Sequence, residues 1–123
     1  MRNSILVVED YAELRDLVTE ILRRNGYEVC QAGNGAEGVA LLRRNCGRLG
    51  LVLTDAAMPG MCGHALADQI RAGQIRGARA DLKIILMTAS HETVVERNGL
   101  TLLRKPFTED ELIARVREAL DGS

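Results

Sequence analysis

Short, mainly apolar runs alternate with amphipathic segments along the 123 residues, and this alternation limits the fold more than any other feature of the sequence. Residues 5–8, 51–54 and 84–87 are runs of the kind that buried parallel strands have. Residues 27–31 alternate between apolar and polar side chains, which predicts an edge strand, and residues 101–103 predict a short fifth strand. Strand and helix patterns alternate five times, which predicts an α/β fold with a parallel sheet.

The sequence indicates some of the helices more clearly than others. Thr108 and Glu111 form a capping-box pattern at the start of the last helix, and another helix is predicted over residues 64–72. Between the fourth and fifth strands, residues 90–98 leave room for only a short helix. Residues 72–81 are rich in Gly and Arg, which predicts a solvated loop or a frayed helix end.

The composition predicts one ordinary globular domain. Hydrophobic residues make up 46% and charged residues 27% of the chain, and with two Tyr, one Phe and no Trp the core must be aliphatic. A net charge of −1 provides no basic field to attract nucleic acid or an anionic membrane. The three cysteines have no metal-ligand spacing, and no run of about 18 apolar residues is present. We therefore expect residues 1–123 to form a single soluble, cytoplasmic domain.

Polar side chains follow four of the predicted strands. Glu9 and Asp10 come after the first strand, Asp55 after the third, Thr88 after the fourth and Lys105 after the fifth. In an open parallel sheet, ligands bind at the edge where the carboxyl ends of the strands meet. We therefore expect three carboxylates, one hydroxyl and one ammonium group to meet in a shallow crevice.

These groups together favour phosphoryl chemistry. Clustered carboxylates repel each other, so they either take up protons or hold a cation, and oxygen-only ligands favour Mg²⁺. Lys105 and Thr88 are suited to phosphoryl oxygens. Asp55 is then placed as a nucleophile that forms an aspartyl phosphate, and it needs no base because aspartate side chains are ordinarily ionised at neutral pH.

Four motifs in order carry a resemblance to the response-regulator receiver domain of two-component signalling. They are VVED at 7–10, D-x-x-MPG-x-x-G at 55–63, MTAS at 87–90 and RKPF at 104–107, and the match runs over nearly the whole chain. The resemblance implies a flavodoxin-like, doubly wound (βα)5 fold with strand order 2-1-3-4-5, in which the fourth helix is here short or absent. The LLRKPF ending is more similar to the receivers of hybrid sensor kinases or of single-domain regulators than to those of DNA-binding regulators.

The resemblance also implies a role for each polar residue. Asp55 accepts a phosphoryl group from a histidine kinase or a histidine phosphotransfer protein, the Thr88 hydroxyl turns toward that group, and Lys105 pairs with it. The implied Mg²⁺ ligands are Glu9, Asp10, Asp55 and the backbone carbonyl of Ala57. Phosphorylation then shifts an equilibrium between two conformations and changes the binding of a partner. No catalysis is implied beyond Mg²⁺-dependent self-phosphorylation from a phosphodonor and self-dephosphorylation.

Two further positions concern switching. In the family the peptide bond before the proline that matches Pro106 is cis, which aims the lysine. Leu102 stands three residues before Lys105, where family members commonly have Tyr or Phe, so the usual coupling of a hydroxyl to an aromatic ring is not expected. The stretch from Thr88 to Lys105 is also shorter than usual, so the face through which many receivers dimerise is expected to be remodelled, and the chain to be a monomer or a weak dimer.

Three alternatives compete with these assignments. Asp10 could be only the N-cap of the first helix, with Glu13 completing a capping box. An aspartate-nucleophile phosphatase of the haloacid-dehalogenase type needs a second acid two residues after the nucleophile, where this chain has Ala57. A degenerate receiver that acts only as a protein-interaction scaffold stays open because of Leu102 and the short fourth helix.

Overall fold

The computed structural model describes residues 4–45, 48–78, 82–89 and 100–121. The strands are β1 (Ser4–Val8), β2 (Glu28–Ala32), β3 (Leu49–Asp55), β4 (Lys83–Thr88) and β5 (Leu100–Arg104). The helices of the described part are α1 (Ala12–Arg24), α2 (Gly35–Asn45), α3 (Gly63–Arg71) and α4 (Glu109–Asp121). The helix expected within residues 90–98, the fourth helix of the family, lies outside the described residues.

The five strands form one parallel sheet in the order β2-β1-β3-β4-β5. This confirms the predicted flavodoxin-like α/β fold and the position of β2 at an edge of the sheet. The chain leaves β1 toward β2 on one side and returns to place β3 on the other side of β1. The strand order therefore reverses between β1 and β3, and ligands bind at such a switch point in open α/β sheets.

The sheet separates two apolar layers because side chains alternate between its faces. Along β1, Leu6 and Val8 face the layer packed by α2 and α3, whereas Ile5 and Val7 face the layer packed by α1 and α4. The largest fully buried side chains in the described residues are all Leu, Ile or Met, as the composition predicted. This packing fixes β3, the central strand, from both faces, and with it the residue at its carboxyl end.

The starts of the first and last helices differ. Thr108 and Glu111 cap α4 reciprocally, because the Glu111 N–H donates to Thr108 Oγ1 at 3.1 Å and the Thr108 N–H donates to Glu111 Oε1 at 3.0 Å. The N-cap of α1, in contrast, is Tyr11, with no side-chain cap hydrogen bond. The alternative interpretation of Asp10 as the N-cap of α1 is therefore wrong, since the helix begins one residue later than that interpretation requires.

Thr108→Ala is expected to lower the free energy of unfolding by about 1 kcal/mol at neutral pH, because an N–H of α4 loses its acceptor. The hydrogen bond from the Thr108 backbone N–H, together with the contact to its side chain, lowers the pKa of Glu111. The stabilisation from the Glu111 carboxylate is present above its unfolded-state pKa and is lost as the pH falls through the lowered folded-state pKa. Because its main bond comes from the Thr108 backbone N–H, this contribution remains in Thr108→Ala. Urea unfolding at neutral pH measures the loss in Thr108→Ala, and a free energy of unfolding equal to that of the wild type would contradict the assigned cap.

Candidate functional site

Three carboxyl groups meet where β1 and β3 end. One carboxylate oxygen from each of Glu9, Asp10 and Asp55 lies within 4.8 Å of the other two. Glu9 and Asp55 are buried, with 1% and 9% of their surfaces exposed, whereas Asp10 is exposed. The three acids predicted from the sequence are thus brought together at the carboxyl ends of two neighbouring strands, with Asp10 on the solvent side.

One ammonium group joins the two buried carboxylates. Lys105 Nζ lies 3.2 Å from Glu9 Oε1 and 3.2 Å from Asp55 Oδ2. Lys105 follows β5 at the edge of the sheet, so its side chain must pass the end of β4 to reach Asp55. A long, unbranched side chain with a compact charge is suited to that span.

Both carboxylate oxygens of Asp55 have a partner. Oδ2 accepts the hydrogen bond from Lys105, and Oδ1 accepts one from the backbone N–H of Ala57 at 3.2 Å. The second bond holds the loop that follows β3 against the carboxylate and brings the Ala57 backbone beside the acid cluster. The side chain of Asp55 is therefore oriented by a charge on one side and by a peptide dipole on the other.

Backbone hydrogen bonds continue beyond the strand ends and hold the site residues in register. The Ala56 N–H donates to the carbonyl of Met87 at 2.8 Å, and the Lys105 N–H donates to that of Thr88 at 2.7 Å. These two bonds attach Ala56, which follows β3, and Lys105, which follows β5, to the strand that lies between them, β4. The functional side chains are consequently attached to rigid backbone rather than to free loops.

Thr88, the last residue of β4, carries a hydroxyl that has no partner among the described residues. Thr88 is 1% exposed, and its Oγ1 atom makes no hydrogen bond to any part of the chain that the structure describes. Leaving a buried hydroxyl unpaired costs about 1–3 kcal/mol, so each such group needs an explanation. The hydroxyl is free to donate to an oxygen that enters the site.

The cluster changes the acidity of its members. Burial, hydrogen bonding with Asp55 and Asp10 and the negative charge of Asp55 raise the pKa of Glu9 to about 7, although the charge of Lys105 opposes the change. For Lys105, burial is the largest influence and acts to lower the pKa, but the charges of Asp55 and Glu9 outweigh it and raise the pKa. Without a bound cation, Glu9 is therefore partly protonated near neutral pH.

The metal-free protein is expected to lose stability as the pH rises from about 5 to about 8. Because the folded-state pKa of Glu9, about 7, lies above its ordinary value of 4.5, the folded protein holds a proton that the unfolded chain has already released between these two values, and this stabilisation is lost as the pH rises through the folded-state pKa. We expect a loss on the order of 2 kcal/mol in the free energy of unfolding, measured with urea in the presence of a chelator. Glu9→Gln should remove most of this dependence, and an unchanged dependence in that variant would contradict the assignment.

The two residues predicted for switching are both described. The peptide bond between Lys105 and Pro106 is cis, as the resemblance implied. Leu102 is half-buried in β5 and pairs with Leu86 of β4. The consequence of having Leu at this position stays a prediction.

An apolar groove beside the site was not foreseen from the sequence. It has a volume of about 350 Å³ and is lined by Leu14, Leu17, Val18 and Ile21 of α1 together with Lys105, Pro106, Phe107 and Glu109. Leu17, on the face of α1 that lines the groove, is 52% exposed. The exposure arises because α4 and the loop before it leave part of that face uncovered.

Comparisons with known proteins agree with this geometry. A family model described as the response regulator receiver domain matches residues 5–117. The transcriptional regulatory protein YrkP of Bacillus subtilis is 36% identical over 121 residues, which cover 94% of this chain and 48% of that protein. The DNA-binding response regulator MtrA of Mycobacterium tuberculosis (strain ATCC 25618 / H37Rv) is 34% identical over 125 residues, which cover 98% of this chain and 51% of that protein. The chain thus spans about half the length of these curated relatives.

Among solved structures, the receiver domain of the hybrid histidine kinase CckA superposes with a TM-score of 0.79 at 32% identity, covering 95% of this chain and 98% of that one. The chain therefore belongs to the response regulator receiver domain family of two-component signalling. Its relatives include DNA-binding regulators as well as a hybrid-kinase receiver, so the expected similarity to receivers of hybrid kinases or of single-domain regulators stays a prediction. None of the helices in the described ranges has the length and apolar character needed to cross a membrane.

Proposed function

We propose that Asp55 is the phosphoacceptor of this receiver and takes its phosphoryl group from the phosphohistidine of a histidine kinase or a histidine phosphotransfer protein. The observation that carries the proposal is the position of the Asp55 carboxylate, which is held by Lys105 and by the Ala57 N–H within a cluster of acids at the switch point of the sheet. Family membership supports the same assignment.

In the proposed reaction, a carboxylate oxygen of Asp55 forms a bond to phosphorus. The P–N bond to the donor imidazole breaks, and its electron pair remains on the imidazole nitrogen. Phosphoryl transfer passes through a loose transition state, so the protein contributes mainly positioning and neutralisation of charge. Lys105 remains close to the charged oxygens, and Thr88 offers a hydroxyl donor that has no partner in the described chain.

The donor atoms of the site fit a hard divalent cation. Three carboxyl groups face one ammonium group, so a single positive charge cannot balance the ionised cluster. Carboxylate and carbonyl oxygens are the ligands that Mg²⁺ accepts, and in the proposed site they come from Glu9, Asp10, Asp55 and the backbone carbonyl of Ala57. When bound there, Mg²⁺ supplies positive charge against the phosphoryl oxygens.

The apolar groove supports a protein donor. It adjoins the site, because Lys105 both lines the groove and contacts Asp55. Leu17 and Tyr11, the exposed large hydrophobic residues of the described chain, lie on α1 and at its N-cap. A helix of the kinase or phosphotransfer protein that carries the phosphohistidine would cover this surface and present the phosphoryl group to Asp55.

We further propose that residues 1–123 act as one cytoplasmic receiver domain, which is a monomer or a weak dimer. This chain does not itself bind nucleic acid. Its net charge of −1 supports the last point, since nucleic-acid binding rests on a basic surface. Phosphorylation shifts the domain between two conformations and so changes the binding of a downstream partner.

Incubation with acetyl phosphate, followed by intact-mass analysis, tests the proposal. We expect one labile phosphoryl adduct with Mg²⁺ and none with a chelator. An adduct that forms equally well without a divalent cation would contradict the role of Mg²⁺. Binding of Mg²⁺ without any adduct, from acetyl phosphate or from phosphohistidine proteins, would contradict the acceptor role and favour the scaffold alternative.

A further inference from the structure

Arg15 is a charged residue of α1 that points toward the site without entering it. Its Nη1 atom donates a hydrogen bond of 2.9 Å to the backbone carbonyl of Glu9, in a partly buried position. Side chains on a helix lean toward its N-terminus, which directs Arg15 back toward the loop between β1 and α1. No feature of the sequence motifs had singled this residue out.

The hydrogen bond from Arg15 fixes the peptide unit between the two metal-binding candidates. The Glu9 N–H already donates to the carbonyl of Ala32 at 3.0 Å, which ties the residue to β2. The Glu9 carbonyl belongs to the peptide plane that leads into Asp10. Holding this carbonyl therefore sets the direction in which the Asp10 carboxylate leaves the backbone relative to that of Glu9.

The Arg15 side chain is itself held in place. A Cβ atom on Gly33 would lie 3.1 Å from Arg15 Nη1 and 3.0 Å from Oε1 of Glu37, so the guanidinium group packs over the bare Cα of Gly33 near that carboxylate. The Arg15 carbonyl accepts a hydrogen bond of 2.7 Å from Thr19 Oγ1. Thr19 Oγ1 in turn accepts a hydrogen bond of 3.0 Å from Gln31 Nε2. Both ends of the residue are thus anchored to the β2 side of the domain.

We propose that Arg15 is a positioning residue for the divalent cation: by holding the Glu9 carbonyl, it aligns the carboxylates of Glu9 and Asp10 before the cation binds. The inference rests on the proposed function, because it assumes that these carboxylates take Mg²⁺. Arg15 acts through the backbone and touches neither the phosphoryl group nor the cation. Outer residues that orient metal ligands typically contribute about 10-fold to 100-fold in metal affinity.

The direction in which Mg²⁺ affinity changes when Arg15 is replaced distinguishes a positioning role from an effect of its charge. Arg15 carries a positive charge close to the acids, so its charge alone repels a cation, and removing it would strengthen Mg²⁺ binding. Loss of alignment has the opposite effect and weakens binding. A purely structural role would lower the stability of the metal-free protein without changing the affinity of the protein that remains folded.

Calorimetric titration of Mg²⁺ into the metal-free protein tests the inference. Arg15→Met is expected to weaken Mg²⁺ binding about 10-fold or more. The matched control is Arg23→Met, because Arg23 lies on the same helix and donates a similar bond of 3.2 Å to the carbonyl of Val29, on the exposed side of the domain. Arg23→Met should bind Mg²⁺ like the wild type. Unfolding in a chelator, recorded for each variant, gives the structural effect separately.

Affinity in Arg15→Met that equals or exceeds that of the wild type would overturn the inference while leaving the proposed function intact. Absence of Mg²⁺ binding by the wild type would overturn both. If Arg15→Met does not fold, Arg15→Gln provides the same test. The glutamine side chain is uncharged and shorter than that of arginine, so it cannot reach the Glu9 carbonyl in the same way. Arg15→Gln is likewise expected to bind Mg²⁺ more weakly than the wild type.

Discussion

Asp55→Ala should abolish the phosphoryl adduct and leave the domain folded. The substitution removes the carboxylate that the site holds between Lys105 and the Ala57 N–H, and no other carboxylate of the described residues occupies that position. It also removes one of three mutually repelling acids, so the free energy of unfolding of the metal-free protein should stay equal or rise. Intact mass gives the extent of phosphorylation, and circular dichroism with urea unfolding gives the fold.

Two further variants sharpen this prediction. Asp55→Asn keeps the shape and the acceptor for the Ala57 N–H but lacks the nucleophile, so it should behave like Asp55→Ala. Asp68→Ala removes an exposed carboxylate of α3 that lies outside the acid cluster, and it should accept phosphate like the wild type. A full-size adduct in Asp55→Ala would mean that another residue is the acceptor.

Gly63→Ala is expected to lower the free energy of unfolding by roughly 3 kcal/mol, because it overpacks a site with no space for a methyl group. Gly63 begins α3, and its N–H donates to the carbonyl of Ala56 at 3.1 Å. A Cβ atom there would overlap the backbone carbonyl oxygen of Asp55 and lie 3.0 Å from the Cα of Ala56. These are backbone atoms of the strand end and of the loop after it, so they cannot rotate away as a side chain would.

Gly60 provides the comparison for that substitution. Its φ of 79° is unfavourable for other residues, but no atom lies within 4 Å of the Cβ position. Gly60→Ala should therefore cost only the strain of a left-handed backbone, about 1 kcal/mol.

Gly63→Ala should also slow phosphorylation because it displaces Asp55. Urea unfolding and the initial rate of adduct formation check both effects, and equal stability of the two variants would contradict the steric explanation.

The sequence predicts the sheet well because buried parallel strands are continuous apolar runs. The ends of each of the five strands lie within about two residues of the predicted ends, which is the ordinary uncertainty in assigning where a strand begins and ends. Helix starts and helix faces were harder to predict. Asp10 matches a capping pattern, yet Tyr11 is the N-cap, and Leu17 has core spacing but is half-exposed. Spacing identifies the apolar side of a helix and does not reveal how much of that side its neighbours cover.

For the candidate site, the sequence places residues at the correct edge of the sheet but gives no geometry. The positions of Asp55 and Lys105 follow from the ends of β3 and β5. Their contact depends on a side chain that spans the intervening strand. The lack of a partner for the Thr88 hydroxyl among the described residues depends on how all of its neighbours pack. The bond from Arg15 to a backbone carbonyl has no motif of its own, because any residue supplies that acceptor.

Chemical trapping of the phosphorylated protein tests the identity of the acceptor most directly. Borohydride reduces an aspartyl phosphate to homoserine, and peptide sequencing by mass spectrometry then locates the altered residue. Trypsin releases residues 49–71 as one peptide that contains both Asp55 and Asp68, so the fragment ions include an internal control. We predict homoserine at position 55 alone, only after incubation with phosphodonor and Mg²⁺. Homoserine at position 10, or an adduct on any residue other than Asp55, would contradict the proposed acceptor.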